Sequence, residues 1–146
     1  GAEERGHQRA LLVADRLGLG GLAEEGRGAP EIELDAVDGF EVHDCFTIAE
    51  LLSYEAMGLA PVGQGGRLLD EGVVMRQGRL PVNASGGLKA KGHPIGATGV
   101  SMHAISAMQL CQEAGDMQLP APTLAGVFNM GGAAVANYVS ILERVR

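Results

Sequence analysis

The chain has 146 residues, a net formal charge of −7, 46% hydrophobic and 20% charged residues. This is enough chain for one domain with a buried core, which excludes a disordered tail. The acidic balance lacks the basic stripe of a nucleic-acid binder, and no run of eighteen apolar residues offers a membrane span.

Glycine supplies 23 residues, about 16% against a usual ~7%. The glycines follow no triplet period, so they mark tight turns and close backbone approaches rather than collagen. Cys45 and Cys111 are the two cysteines. No charged-then-apolar leader is visible, so a reducing compartment, by default the cytoplasm, is expected.

In chain order, Ala10, Val13, Ala14 and Leu17 predict a helix over 4–17, with Gly18 to end it. Residues 18–35 read as a glycine-rich acidic surface connection. Phe40 and Val42 on either side of Glu41 predict a short strand over 38–43. Thr47 with Glu50 three residues on has the form of a capping box, with Ile48, Leu51, Leu52 and Ala56 at helical spacing and Gly58 placed to cap the end. Residues 60–80 read as a long loop, of the kind that is usually functional.

A short strand is expected in the stretch that opens at Pro81. A helix over 98–114 follows, apolar nearly all round, predicted to be buried on most faces and stopped by Gly115. His103 and Cys111 on that helix read as core residues. The apolar runs 124–128 and 133–142, separated by Asn129-Met130-Gly131-Gly132, predict an antiparallel pair across a glycine turn. The order predicts an α/β layered domain with a mixed sheet. The pattern opens on a helix, as though its first strand were missing.

Three segments combine reactive side chains with glycine. In Glu41-Val42-His43-Asp44-Cys45-Phe46 a thiol sits between a strand end and a helix start, where backbone N–H groups and the helix dipole favour a thiolate. The same pattern fits a small buried apolar cysteine equally well, and metal binding by His43 and Cys45 lacks two further ligands at sensible spacing. In Gly92-His93-Pro94, proline keeps the imidazole out of the helical region, which suits an oxyanion donor or an activator of a thiol; an incidental surface histidine is the plainer reading. In Asn129-Met130-Gly131-Gly132, glycine lets backbone N–H groups face a cavity, and a simple hairpin turn explains the same residues. Arg67, Arg76, Arg79, Lys89 and Lys91 form either a solvated basic surface or an attractor for an anionic ligand.

Val82-Asn83-Ala84-Ser85-Gly86-Gly87, followed by Gly92-His93-Pro94-Ile95-Gly96-Ala97-Thr98-Gly99, resembles the C-terminal half of a thiolase over about residues 37–145. His43-Asp44-Cys45-Phe46, where most thiolases have Asn-Glu-Ala-Phe, is similar to the sterol-carrier-protein-type group. The resemblance implies a thiolase-like layered fold, a mixed five-stranded sheet covered by helices, with residues 1–146 forming a partial C-terminal domain. It implies acyl transfer between CoA thioesters, by Claisen condensation or thiolytic cleavage of 3-ketoacyl-CoA, with no cofactor or metal beyond the CoA substrates.

By the same resemblance, His93 would activate a nucleophilic cysteine, Cys45 would be the acid/base, and His43 would hold the enolate oxygen. Gly131, Asn129 and Gly87 would serve as oxyanion and substrate-binding positions, Asn129 standing where ordinary thiolases carry an acid/base cysteine. Neither cysteine lies in the nucleophile's motif, so the partners implied are acyl-CoA, CoA, an N-terminal thiolase half or partner subunit, and further copies in a homo-oligomer. The chain alone is expected to be inactive, and to expose apolar surface. A non-catalytic assembly subunit of the same fold and a Cys/His hydrolase are the alternatives.

Overall fold

The computed structural model describes Ile32 and residues 34–144. The helix expected over 4–17, and the strand expected to be missing before it, lie outside these residues. A 3₁₀ turn, Leu34–Ala36, leads to strand β1 (Gly39–Val42), helix α1 (Thr47–Ala56), and two helical turns, α2 (Arg67–Asp70) and α3 (Gly87–Lys91). Helix α4 (Thr98–Leu110), a second 3₁₀ turn, and strands β2 (Leu124–Gly131) and β3 (Ala136–Glu143) complete it.

The sheet is mixed, as expected, but among the described residues it has three strands in the order β1-β2-β3 rather than five. β1 pairs parallel with β2, with Val42 beside Phe128, and β2 pairs antiparallel with β3. The short strand expected after Pro81 is a single parallel bridge between Phe40 and Val82. Pro81 has no N–H to donate, and Asn83 turns to φ 52°, so pairing stops after one residue.

Side chains alternate across β1, so its two faces are covered by different layers. Phe40 and Val42 join Tyr54, Met57, Leu68, Val74 and Phe128 in the main core, beneath α1 and the 57–80 segment. Gly39 and Glu41 face the other way, lining a small cavity with Ala125 of β2 and with Ser106 and Gln109 of α4. Gly126 makes the close approach on the core side, since a Cβ there would stand 2.6 Å from the Phe40 Cζ. Gly126→Ala is expected to destabilise the chain by about 1–3 kcal/mol by overpacking. Chemical denaturation would show this as a lower midpoint with an unchanged slope.

Several local expectations need correction. The glycine turn is not at Asn129-Met130-Gly131-Gly132. β2 continues through Gly131, which pairs with Ala136, and the turn follows at 132–135, with Gly132, Ala133 and Ala134 all at positive φ. Helix α4 ends at Leu110, not Ala114, because Gln112 takes φ 62° and its N–H returns to the Gln109 carbonyl. Only one stripe of α4 is buried: Thr98, Met102, Ser106, Gln109 and Leu110. Its other side, including Val100 at 71% exposure and Cys111 just beyond the end, faces outward.

The capping box does not form either. Phe46 is the N-cap residue of α1 and no side chain caps the helix. Gly58, by contrast, ends α1 as expected: φ is 75°, its N–H meets Glu55 O, and the Leu59 N–H meets Tyr54 O. The loop over 60–80 contains α2, which is closed by Gly72 in the same way. Among the described residues no helix is long and apolar enough to cross a membrane.

Candidate active site

The C-terminal end of β1 carries the first group of site residues. The His43 N–H donates to Phe128 O at 3.0 Å, extending the parallel ladder one residue past β1. This places His43 beside Asn129 on β2, where His43 Nδ1 lies 2.9 Å from Asn129 Oδ1. An amide oxygen only accepts, so Nδ1 carries the proton and Nε2 is the free ring position. The imidazole is buried, and the His93 ring meets it edge to face, with centroids 4.8 Å apart and planes at 89°.

His93 reaches that position from the loop between α3 and α4. Gly92 at φ 85° and Gly96 at φ 86° bend the backbone around it. His93 Nδ1 lies 2.7 Å from the Thr98 hydroxyl, which donates to Pro94 O at 3.3 Å. With the hydroxyl proton so used, His93 Nδ1 donates and Nε2 presents its lone pair. Thr98 is buried at the first turn of α4, so the helix itself fixes the imidazole. Gly99, the next residue, passes so near Asn129 that a Cβ would stand 2.8 Å from its amide nitrogen.

Asp44 points the opposite way from a reactive role. It is buried, and its Oδ1 accepts the Leu88 N–H at 2.8 Å, tying the start of α3 to β1. Gly87 lies directly against this carboxylate at φ 66°, where a Cβ would stand 2.7 Å from Asp44 Cγ. The Gly87 N–H is 3.2 Å from Ser85 Oγ and donates to it. Cys45 is half-buried between β1 and α1, next to an exposed Phe46. Gly131 lies at the exposed end of β2, in ordinary extended backbone with open space where a Cβ would be.

Behind the site, Asn83 accepts the Val42 N–H at 2.9 Å and donates to Glu50 Oε1 at 3.3 Å. The Tyr54 hydroxyl donates to the same oxygen at 2.8 Å. Burial first, and then the bond to Glu50, push the Tyr54 phenol far above its ordinary range, so it remains a donor. Backbone N–H groups of Gly63 and Gly65 hold the Glu55 carboxyl below its usual value.

The structure thus brings His43, His93 and Asn129 together and sets Gly87 under Asp44. Thr98 and Asp44 escaped the sequence reading as positioning groups. The signal for Thr98 was its place five residues after His93, on the first turn of a helix. Of the five clustered basic residues, Arg67 pairs with Glu71, Arg79 with Asp35, and Lys91 with Glu41. His103, half-buried, is bonded through Nδ1 to Gly99 O at 2.7 Å. Among the described residues no group of three or more His, Cys, Asp or Glu side chains converges on a metal position.

A family model described as "Thiolase C-terminal domain-like" matches residues 21–144. Sterol carrier protein 2 of Rattus norvegicus is 52% identical over 101 residues, 68% of this chain and 18% of that protein. An acetyl-CoA acetyltransferase of Methanothermobacter thermautotrophicus is 43% identical over 108 residues, 74% of this chain and 28% of that protein. Benzoylsuccinyl-CoA thiolase subunit BbsB of Thauera aromatica is 38% identical over 114 residues, 77% of this chain and 28% of its own length. The matched stretch therefore spans only 18–28% of the length of these relatives. Among solved structures, the Ltp2-ChsH2(DUF35) aldolase shares the fold with a TM-score of 0.64 at 21% identity, covering 76% of this chain and 28% of that one.

Proposed function

The chain belongs to the thiolase C-terminal domain-like family, and from that premise we propose that it supplies the acid/base and oxyanion half of an acyl-CoA thiolase active site. The observation that carries this reading is the edge-to-face pair of His43 and His93, with ring centroids 4.8 Å apart. In thiolytic cleavage of a 3-ketoacyl-CoA, a nucleophilic thiolate from another segment or subunit takes the acyl carbon. The Cα–Cβ bond breaks, and its electron pair passes to the thioester enolate of acetyl-CoA. Cys45 gives a proton to the enolate carbon; the CoA thiol then returns a proton to Cys45 and takes the acyl group, and the nucleophilic cysteine leaves as its thiolate.

His93 faces the nucleophile through Nε2, held there by Thr98. His43, with Nδ1–H committed to Asn129, donates to the enolate oxygen through Nε2 when doubly protonated. Gly131 contributes its N–H to the second oxyanion position. An enolate next to a thioester is tolerable only where such donors are already in place. Phe46, Ile95 and Val100 are exposed, which supports a covering segment or subunit on this side, in a homo-oligomeric assembly.

A second reading, a thiolase-fold subunit without turnover of its own, is favoured by a relative that is itself named as a subunit. One assay separates the two. The protein carrying this chain, together with its nucleophile-bearing part, is given 3-ketoacyl-CoA substrates of several chain lengths with CoA. Acetyl-CoA and the shortened acyl-CoA are expected in equal amounts by mass spectrometry. No product from any of them would overturn the catalytic reading and leave the second.

A further inference from the structure

Resting on that reading, we propose that Glu41 and Lys91 form a clamp, its carboxylate buried and its lysine half-buried, that sets the position of His93 against His43. Glu41 is a carboxylate between two apolar residues of a short strand, yet it is 4% exposed. Its Oε2 accepts from Lys91 Nζ at 2.7 Å and from the Ser85 hydroxyl at 2.7 Å. Its Oε1 accepts the Ser85 N–H at 3.4 Å, and Lys91 Nζ also reaches Ser85 Oγ at 3.4 Å. One carboxylate therefore holds the residue just before α3 and the last residue of α3, a five-residue turn too short to be stable alone.

The spacing gives the clamp its purpose. Glu41 and His43 are two apart, at the end of β1 and just beyond it, and Lys91 and His93 are two apart, at the end of α3 and on the loop that follows. Each residue of the first pair meets its counterpart fifty positions on: Glu41 meets Lys91, and His43 meets His93. The ion pair thus fixes the register in which the loop lies along the strand end, and Gly92 at φ 85° carries the chain from the fixed lysine to the imidazole. A displacement of about 1 Å in a catalytic group costs on the order of 10²-fold in rate. Neither Glu41 nor Lys91 reaches the reacting atoms in this scheme; both are positioning residues.

The test uses Lys91→Met, Lys91→Arg, Glu41→Gln, and the double variant Glu41→Gln/Lys91→Met, which removes both charges and so leaves neither buried alone. In the complete enzyme, Lys91→Met is expected to lower kcat by about 10²-fold with KM within twofold, Lys91→Arg to recover most of the loss, and the double variant to be no worse than either single change. In the complete protein without substrate, the His93 ring proton signals should move with Lys91→Met and return with Lys91→Arg, since the His43 ring current acts on them. The proposal is overturned if those signals and kcat stay at wild-type values in Lys91→Met and in the double variant, or if the two single losses simply add. The NMR arm needs no turnover, so it judges the clamp even where the thiolase assay fails.

Discussion

His93→Ala in the complete enzyme is expected to lower kcat by about 10²–10⁴-fold, the range for loss of a positioned proton-transfer group. KM for the 3-ketoacyl-CoA should change little, because the imidazole meets developing charge rather than the resting thioester. The magnitude follows from how firmly this ring is held. Its Nδ1 is spent on the buried Thr98 hydroxyl at 2.7 Å, its ring packs edge to face with that of His43, and glycines on both sides allow the approach. Thr98→Val keeps the shape of that residue and removes the acceptor, so a smaller loss of roughly 5–10-fold is expected, the worth of about one hydrogen bond. Steady-state kinetics of the two variants give the comparison. If His93→Ala stays within threefold of wild type, the imidazole has no part in the reaction. If Thr98→Val is the worse of the two, the ring is not held in the way described.

Much of the fold and part of the site were legible in the sequence, and the failures share a physical cause. Elements announced by local chemistry came out as expected: Phe40 and Val42 on a strand, a helix beginning at Thr47, and Gly58 in the left-handed conformation that closes it. Features decided by partners distant in the chain did not. Glu41 between two apolar residues has the pattern of a half-exposed strand, but β1 is covered on both faces, and only Lys91 and Ser85 make a carboxylate there tolerable. Asn129 to Gly131 have the composition of a turn, yet they pair with residues 136–138 because the ladder of β2 and β3 runs on. Helix α4 is apolar nearly all round, and a periodicity without contrast cannot say which stripe the sheet takes. Of the site, the motifs disclosed His43 and His93. The groups that hold them, Thr98, Asp44 and the Glu41–Lys91 pair, became visible only as contacts.

Cys45→Ala should be the other change of largest effect, again lowering kcat by about 10²–10⁴-fold, because it removes the group assigned to carry the proton to and from the α-carbon. That role has a readout free of the rest of the cycle: exchange of the acetyl-CoA methyl protons with deuterated solvent, which should be lost with Cys45→Ala. The structure also sharpens a test on the unmodified protein. Cys111 is exposed beyond the end of α4, whereas Cys45 is half-buried, so access alone makes Cys111 the faster target of an alkylating agent. Cys45 instead immediately precedes Phe46, the N-cap residue of α1, close in the chain to the positive end of a helix dipole. If Cys45 is nevertheless alkylated first below pH 8, its advantage is nucleophilicity and not exposure, as an acid/base thiol requires. Alkylation of Cys111 first, together with unimpaired exchange in Cys45→Ala, would remove the sulfur from the mechanism and leave the two histidines without their proton carrier.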